Sequence, residues 1–133
     1  PMTSIASDGP MTVFGVGSPH PRTYGTFARV LGSYVRERNI LSLEEAVRKM
    51  TSLPAQILSI KQRGLIKEGY YADIAIFDPK TIIDKATFED PHQYAVGVIS
   101  VIVNGEIVID QGVHNGNKPG RVLRGPGYNG SNN

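Results

Sequence analysis

The 133-residue chain contains no cysteine and no tryptophan. Without cysteine it can build neither a disulfide framework nor a thiolate metal site, and a thiol nucleophile is excluded. The absence of cysteine fits a reducing, cytoplasmic compartment without requiring it. No apolar run approaches the roughly 20 residues that a membrane-spanning helix needs, so we expect no membrane partner.

An excess of charge of one sign is also missing. The chain has 14 Lys and Arg residues against 12 Asp and Glu residues, a formal net charge of +2, and the two signs are interspersed. Because nucleic-acid sites concentrate positive charge on one surface, we expect no nucleic-acid partner. The hydrophobic content of 40% is ordinary for a globular protein with a core.

The first half of the chain predicts helices. Apolar residues recur at the spacing of one helix face and indicate an amphipathic helix over about residues 26–38. Ser42 and Glu45 have the spacing of a capping box, which predicts the start of a second helix. Pro54 predicts a third, short helix to about residue 60, because proline is tolerated in the first helical turn.

The second half predicts strands. Residues 73–78 form a compact apolar run bounded by acids, and the runs 98–103 and 106–110 flank Asn104-Gly105. Asn-Gly is the strongest signal for a two-residue hairpin, since both central positions of a type I′ turn require positive φ. The tail from Gly112 is rich in Gly, Asn and Pro, and we expect it to be extended or mobile.

The tripeptide Ser7-Asp8-Gly9 is the candidate catalytic feature. It follows a short apolar run, residues 2–6, that predicts one buried strand. A carboxylate on a turn at the carboxyl end of a strand is how a β/α barrel presents a catalytic group. The alternative is an ordinary turn in which Asp8 bonds its own backbone, and the tripeptide alone favours that alternative.

This order of elements is unusual for an autonomous domain. A lone strand at residues 2–6 would have two unpaired edges, and its backbone donors and acceptors would lack partners. We therefore expect the chain to need neighbouring elements from a longer polypeptide.

Several segments, taken together, carry a resemblance to a known family. They are Ser7-Asp8-Gly9, residues 19–27 (PHPRTYGTF), 29–32 (RVLG), 69–78 (GYYADIAIFD), 103–105 (VNG) and 119–124 (PGRVLR). In these segments the chain resembles the carboxyl-terminal part of an N-acyl-D-amino-acid deacylase, or D-aminoacylase, of the amidohydrolase superfamily. The ADIAIFD and VNG segments are similar to general amidohydrolase features, whereas HPRTYG and PGRVLR are narrower and point to the D-aminoacylase branch.

The resemblance implies an α/β fold, the carboxyl-terminal fragment of a metal-dependent (β/α)8 barrel with the returning half of a small β domain. Residues 1–60 would be the last strand, loop and helices of the barrel domain. Residues 61–133 would be the carboxyl-terminal strands of the small β domain and an extended tail. The earlier barrel strands and most metal ligands are missing from this chain. We therefore expect the rest of the parent barrel to be its partner, and we expect the isolated chain to be inactive.

The resemblance also implies a zinc-dependent hydrolase that converts small-molecule N-acyl-D-amino acids to a D-amino acid and a carboxylate. Asp8 would be a zinc ligand and the general base and acid on zinc-bound water, a type of proton transfer that contributes about 10²- to 10⁴-fold. Gly9, His20 and Arg22 would bind substrate, and Arg22 suits a bidentate contact with a carboxylate. For His20 and Arg22 a structural role in pinning the loop stays open.

Two other functions stay open. One is hydrolysis of a cyclic amide, as in hydantoinase-like or dihydroorotase-like amidohydrolases. The other is a non-catalytic binding or assembly module that keeps the barrel end without the metal ligands. His92 and His114 have no second ligand at metal-binding spacing, so we expect both to be surface loop histidines.

Overall fold

The computed structural model describes residues 3–129, with helices in the first half and an antiparallel sheet in the second. The helices are α1 (Arg22–Arg29), a π-helical segment (Val30–Glu37) that continues it, α2 (Leu43–Met50) and α3 (Ser52–Ile57). The strands are β1 (Ile74–Phe77), β2 (Val98–Val103), β3 (Glu106–Asp110) and β4 (Val113–His114). Within this part of the chain, no helix is long and apolar enough to cross a membrane.

The first helix starts earlier than its apolar periodicity predicts. It begins at Arg22, directly after Pro21, whose fixed φ already suits a helix. From Val30 the turns widen to the π form, so the helix predicted over 26–38 is present but is not α throughout. Asn39 ends it with a φ of +52°, a left-handed conformation that commonly closes helices.

Ser42 caps α2 as predicted, but only half of the capping box forms. The Ser42 Oγ accepts a hydrogen bond from the Glu45 N–H at 3.2 Å. The Glu45 carboxylate instead accepts from the Arg48 Nε at 2.7 Å, and this bond lowers the pKa of Glu45 to about 2. The next helix, α3, begins two residues before Pro54 and ends at Ile57, so it is shorter than predicted.

The three strands predicted in the second half are confirmed as β1, β2 and β3, and the tail adds the short β4. All four pair antiparallel in chain order. The turn between β2 and β3 has Asn104 at a φ of +49° and Gly105 at +86°, as the type I′ prediction requires. This hairpin is therefore fixed by local backbone preference.

Asp73 fixes the hairpin turn against the start of β1. Its Oδ1 accepts from the Asn104 N–H at 2.8 Å, and its Oδ2 pairs with the guanidinium of Arg63. Burial acts to raise the pKa of Asp73, but the hydrogen bond from Asn104 and the Arg63 charge outweigh it. The pKa of Asp73 therefore lies below its ordinary value.

Residues 3–6, predicted as part of a strand at 2–6, are not paired as a strand among the described residues, and Met2 lies outside them. The segment is held against the end of α2, where the Ile5 N–H donates to the Lys49 carbonyl at 3.1 Å. Lys49 Nζ in turn donates to the Thr3 carbonyl at 2.7 Å. All strands of the described part lie in the antiparallel sheet, so no strand is beside residues 3–6 to pair with them.

The core joins the helices to the segment that follows β1. Its buried residues are Ala28, Val30, Leu31, Ala46 and Ile82. A Cβ on Gly32 would lie 2.5 Å from the Ile82 carbonyl oxygen, so glycine permits this close helix contact. Arg36 Nη1 donates to the same oxygen at 2.6 Å. The π-helical segment is thereby docked against the chain after β1.

Candidate active site

Asp8 and Arg22 lie at the two ends of a glycine-rich loop (residues 9–19) and are in contact. The Arg22 Nη2 is 3.0 Å from the Asp8 Oδ2, and the Asp8 side chain is 87% exposed. Asp8 has a φ of +48°, in the left-handed region that aspartate tolerates better than most residues. The fold therefore brings together the predicted proton-transfer carboxylate and the predicted carboxylate-binding guanidinium.

Gly9 sets how closely the loop approaches α1. A Cβ at this position would lie 2.9 Å from the Thr23 Cα, a distance that real side chains do not tolerate against backbone. The Gly9 N–H donates to the Ser7 Oγ at 3.3 Å, which closes the turn around Asp8. Glycine at this position thus allows Asp8 to lie beside the start of the helix.

His20 is bonded to the start of α1. Its Nδ1 accepts from the Arg22 backbone N–H at 3.0 Å, and its ring meets Phe88 edge-on at a centroid distance of 4.9 Å. A ring nitrogen that accepts from a backbone N–H carries no proton itself. The Nδ1 of His20 is thus used within the chain, and the ring holds the backbone of Arg22 in place.

A cavity of about 560 Å³ lies beside His20 and Arg22. Its wall also includes Ile5, Phe88 and Asp84, whereas Asp8 is not among the lining residues. The volume is within the range of small-molecule sites. The cavity is therefore lined by His20 and Arg22, two of the three predicted substrate-binding residues, and Arg22 joins it to Asp8.

The segment 86–94 holds the glycine-rich loop, a relationship that the sequence did not indicate. His92 Nδ1 accepts from the Gly15 N–H at 3.1 Å and lies 3.0 Å from the Tyr24 hydroxyl. His92 Nε2 is 2.9 Å from the Gly17 carbonyl oxygen. Since a backbone N–H only donates, Nδ1 is an acceptor and Nε2 donates to Gly17.

His92 thus lies in a loop as predicted, but it is half-buried and its ring is bonded to the glycine-rich loop. His114 is exposed at the end of β4, and its Nδ1 accepts from the Gly116 N–H at 2.9 Å. His92 differs from His114 in making tertiary contacts, because its partners lie 68 to 77 residues away in the chain.

Ring contacts add Phe14 and Tyr94 to this network. Phe14 stacks on Tyr94 at 4.8 Å between centroids and meets Tyr24 and His92 edge-on at 6.0 and 5.6 Å. We call Phe14, Tyr24, His92 and Tyr94 the ring cluster. It joins the tip of the glycine-rich loop both to α1 and to the segment 86–94.

Asp8 is the metal ligand that the sequence predicts in this chain. An exposed carboxylate oxygen is a suitable zinc donor, so Asp8 fits as one ligand. Among residues 3–129, no group of three or more His, Asp or Glu side chains could hold a metal ion. The other ligands of a zinc site would have to come from elsewhere.

Comparison with known sequences finds one matching family model and two kinds of relatives, deacylases and dihydroorotases. The sequence model of the amidohydrolase family matches residues 2–109. The N-acyl-D-aspartate deacylase of Alcaligenes xylosoxydans xylosoxydans is 44% identical over 124 residues, which are 92% of this chain and 24% of that protein. A dihydroorotase of Endomicrobium trichonymphae is more distant, at 37% identity over 83 residues and 54% of this chain.

Solved structures agree with the sequence comparison. A crystal structure of D-aminoacylase superposes with a TM-score of 0.80 at 46% identity and covers 86% of this chain and 24% of that one. The N-acyl-D-glutamate deacylase from Bordetella bronchiseptica, complexed with zinc and a phosphonate mimic of the tetrahedral intermediate, gives a TM-score of 0.73 at 44% identity. That match covers 79% of this chain and 22% of the deacylase. The chain spans about a quarter of the length of these proteins.

Proposed function

Because this chain belongs to the amidohydrolase family, we propose that it is the carboxyl-terminal part of a zinc-dependent amidohydrolase. The proposed reaction is hydrolysis of N-acyl-D-amino acids to a D-amino acid and a carboxylate. The contact between Asp8 and Arg22 at 3.0 Å is the observation that supports it most directly. An N-acyl amino acid presents an amide bond to be cleaved and a carboxylate to be held, and these two side chains match those two groups.

Asp8 is the proposed general base and acid. It takes a proton from the attacking water and returns one to the nitrogen of the departing amine, so the carboxylate ends each cycle ionised. Its high exposure and its place at the end of the loop leave it accessible to substrate. Zinc, when bound with Asp8 as one ligand, supplies Lewis-acid polarisation of the amide carbonyl.

Arg22 is the proposed binding residue for the substrate carboxylate. A guanidinium has five N–H donors, so Arg22 can hold Asp8 with one and still present others to a carboxylate. His20 holds the Arg22 backbone and lines the adjoining cavity, where we propose that it contacts substrate. Gly9 contributes by its close approach to the Thr23 backbone, which a side chain would prevent and which lets Asp8 lie beside Arg22.

The proposed organisation keeps the boundaries of the sequence prediction. Residues 1–60 form the last strand, loop and helices of a (β/α)8 barrel, and residues 61–133 form the returning strands of a small β domain and the tail. The exposure of large apolar side chains supports this proposal, since Met11 is 103% and Ile66 85% exposed. The rest of the barrel would cover these side chains. The cytoplasmic location of the protein and the inactivity of the isolated chain stay predictions.

Cyclic-amide hydrolysis is the second candidate, because the dihydroorotase of Endomicrobium trichonymphae is also similar to this chain. The deacylase reaction is better supported, since the N-acyl-D-aspartate deacylase matches more of the chain at higher identity.

A substrate panel given to the full-length polypeptide that contains this chain tests the proposal. The panel pairs N-acetyl-D-amino acids with their L-enantiomers and adds dihydroorotate and hydantoin. We expect release of free D-amino acid, little hydrolysis of the L-enantiomers, and zinc in the purified polypeptide by elemental analysis. Hydrolysis of the cyclic amides alone would replace the proposal with the second candidate, and turnover of none of them would contradict both.

A further inference from the structure

The ring cluster has no part in the proposed chemistry, yet it is built around the loop that joins Asp8 to Arg22. We propose that His92 is a positioning residue that, with Tyr24, fixes the glycine-rich loop and thereby the separation of Asp8 from Arg22. The assignment of those two residues rests on the proposed function. The restraint of the loop by His92 does not depend on it.

The loop is poorly held by its own packing. Gly15 and Gly17 have φ values of +80° and +71°, and a Cβ built on either glycine would meet no atom within 4 Å. Such a segment has many accessible backbone conformations, and fixing one of them requires contacts from outside the segment. His92 supplies contacts to both glycines, one through each ring nitrogen.

Tyr24 extends this restraint to the residue that the proposal places on the substrate carboxylate. It lies in the first turn of α1, two residues after Arg22, and its hydroxyl is 3.0 Å from the His92 Nδ1. The same hydroxyl is 3.3 Å from the Thr12 Oγ1 in the loop. A continuous set of contacts therefore runs from the helix that bears Arg22 through His92 to the middle of the loop.

The segment 86–94 reaches the site at a second point as well. Phe88 contacts the ring of His20 and lines the cavity, while Tyr94 stacks on Phe14 at the loop tip. The tip of the loop and its carboxyl-terminal end thus both contact one segment that is remote in sequence. Within that segment His92 makes the hydrogen bonds to the loop, and Phe88 and Tyr94 make ring contacts.

Variants of the full-length polypeptide separate positioning from general structure. His92→Phe keeps the ring contacts and removes the hydrogen bonds, and Tyr24→Phe removes one hydroxyl. His92→Asn is the conservative variant, because its Oδ1 can accept near the position of Nδ1. His114→Phe is the matched control, since among the contacts described the His114 side chain bonds only to the nearby Gly116 N–H.

The readouts are kcat and KM for an N-acyl-D-amino acid, the melting temperature, and hydrogen–deuterium exchange of residues 9–19. We expect His92→Phe to speed exchange in the loop and to lower kcat/KM by about 10- to 100-fold, mostly through kcat, at an unchanged melting temperature. Tyr24→Phe should also speed loop exchange and lower kcat/KM, but by less than His92→Phe. His92→Asn should recover part of the wild-type loop protection and part of the wild-type kcat/KM. His114→Phe should match the wild type in both measurements.

Two results would overturn the inference. One is that residues 9–19 exchange at the wild-type rate in both His92→Phe and Tyr24→Phe, which would show that His92 does not restrain the loop. The other is faster exchange with an unchanged kcat/KM, which would show that the restraint has no effect on the site. If the wild-type polypeptide cleaves no N-acyl-D-amino acid, the proposed function fails, and the exchange comparison alone then decides whether His92 holds the loop.

Discussion

Arg29 and Asp84 form an ion pair that joins α1 to the chain after β1. The Arg29 Nη2 is 2.7 Å from the Asp84 Oδ2, and the Asp84 side chain is only 6% exposed whereas that of Arg29 is 49% exposed. Both residues line the cavity beside His20 and Arg22. The pair therefore fixes one wall of the candidate site.

The unequal burial of Arg29 and Asp84 predicts that removing one charge costs more stability than removing the other. Arg29→Met leaves the buried Asp84 carboxylate without its partner, and we expect about 2–4 kcal/mol of local destabilisation. Asp84→Asn leaves a half-exposed guanidinium that water can solvate, so we expect about 1 kcal/mol. Hydrogen exchange in the full-length polypeptide measures the opening free energies of the α1 amides. These values show whether Arg29→Met destabilises the helix more than Asp84→Asn does. Equal effects, or a larger effect of Asp84→Asn, would contradict this account.

The lowered pKa of Asp73 predicts a loss of stability in acid. Because its pKa in the folded protein is below that in the unfolded chain, the ionised Asp73 stabilises the fold fully above the unfolded value of about 4. That contribution is lost as the pH falls below about 4 through the folded pKa. Asp73→Asn should lower the urea midpoint of unfolding at pH 6. The midpoint of this variant should also decrease less than that of the wild type between pH 5 and pH 2.5. The exposed Glu106→Gln serves as control, and an unchanged pH slope in Asp73→Asn would exclude this role.

The close approach of Gly9 to α1 predicts that a single methyl group disturbs the site. Gly9→Ala must move either the loop or the Thr23 backbone, so we expect kcat/KM for an N-acyl-D-amino acid to fall by about 10-fold or more. Gly120→Ala is the matched control, because a Cβ on Gly120 meets nothing within 4 Å. Steady-state kinetics of the two variants make the comparison. Wild-type kinetics for Gly9→Ala would show that this contact does not position Asp8.

The parts of the fold that sequence predicted correctly are those set by local chemistry. Asn104-Gly105 specifies its turn through backbone preference alone, and Ser42 caps α2 through a residue three positions away. Residues 3–6 of the strand predicted at 2–6 stay unpaired among the described residues, because a strand depends on partners and the predicted partners belong to the rest of the barrel. The half-formed capping box has a similar reason, since Arg48 competes for the Glu45 carboxylate.

The candidate site was predictable only in part. Asp8, His20 and Arg22 stood out through the family resemblance, and the fold does place Asp8 against Arg22. The role of His92 had no local signal, because its partners lie across most of the chain and no periodic pattern relates them. The Asp90-Pro91-His92-Gln93-Tyr94 run places a histidine and an aromatic residue after a turn, which indicates an ordered turn but not what it binds.

The most direct test of the proposed function is Asp8→Asn in the full-length polypeptide. Asparagine keeps the size of the side chain and a hydrogen bond to Arg22 but cannot take up the proton. Zinc content is measured on the same samples, and Asp110→Asn, at the exposed end of β3, is the control. We predict a kcat for N-acyl-D-amino acids about 10²- to 10⁴-fold below wild type, with the control unchanged. Wild-type kcat in Asp8→Asn would contradict the assignment of Asp8 as the proton-transferring residue.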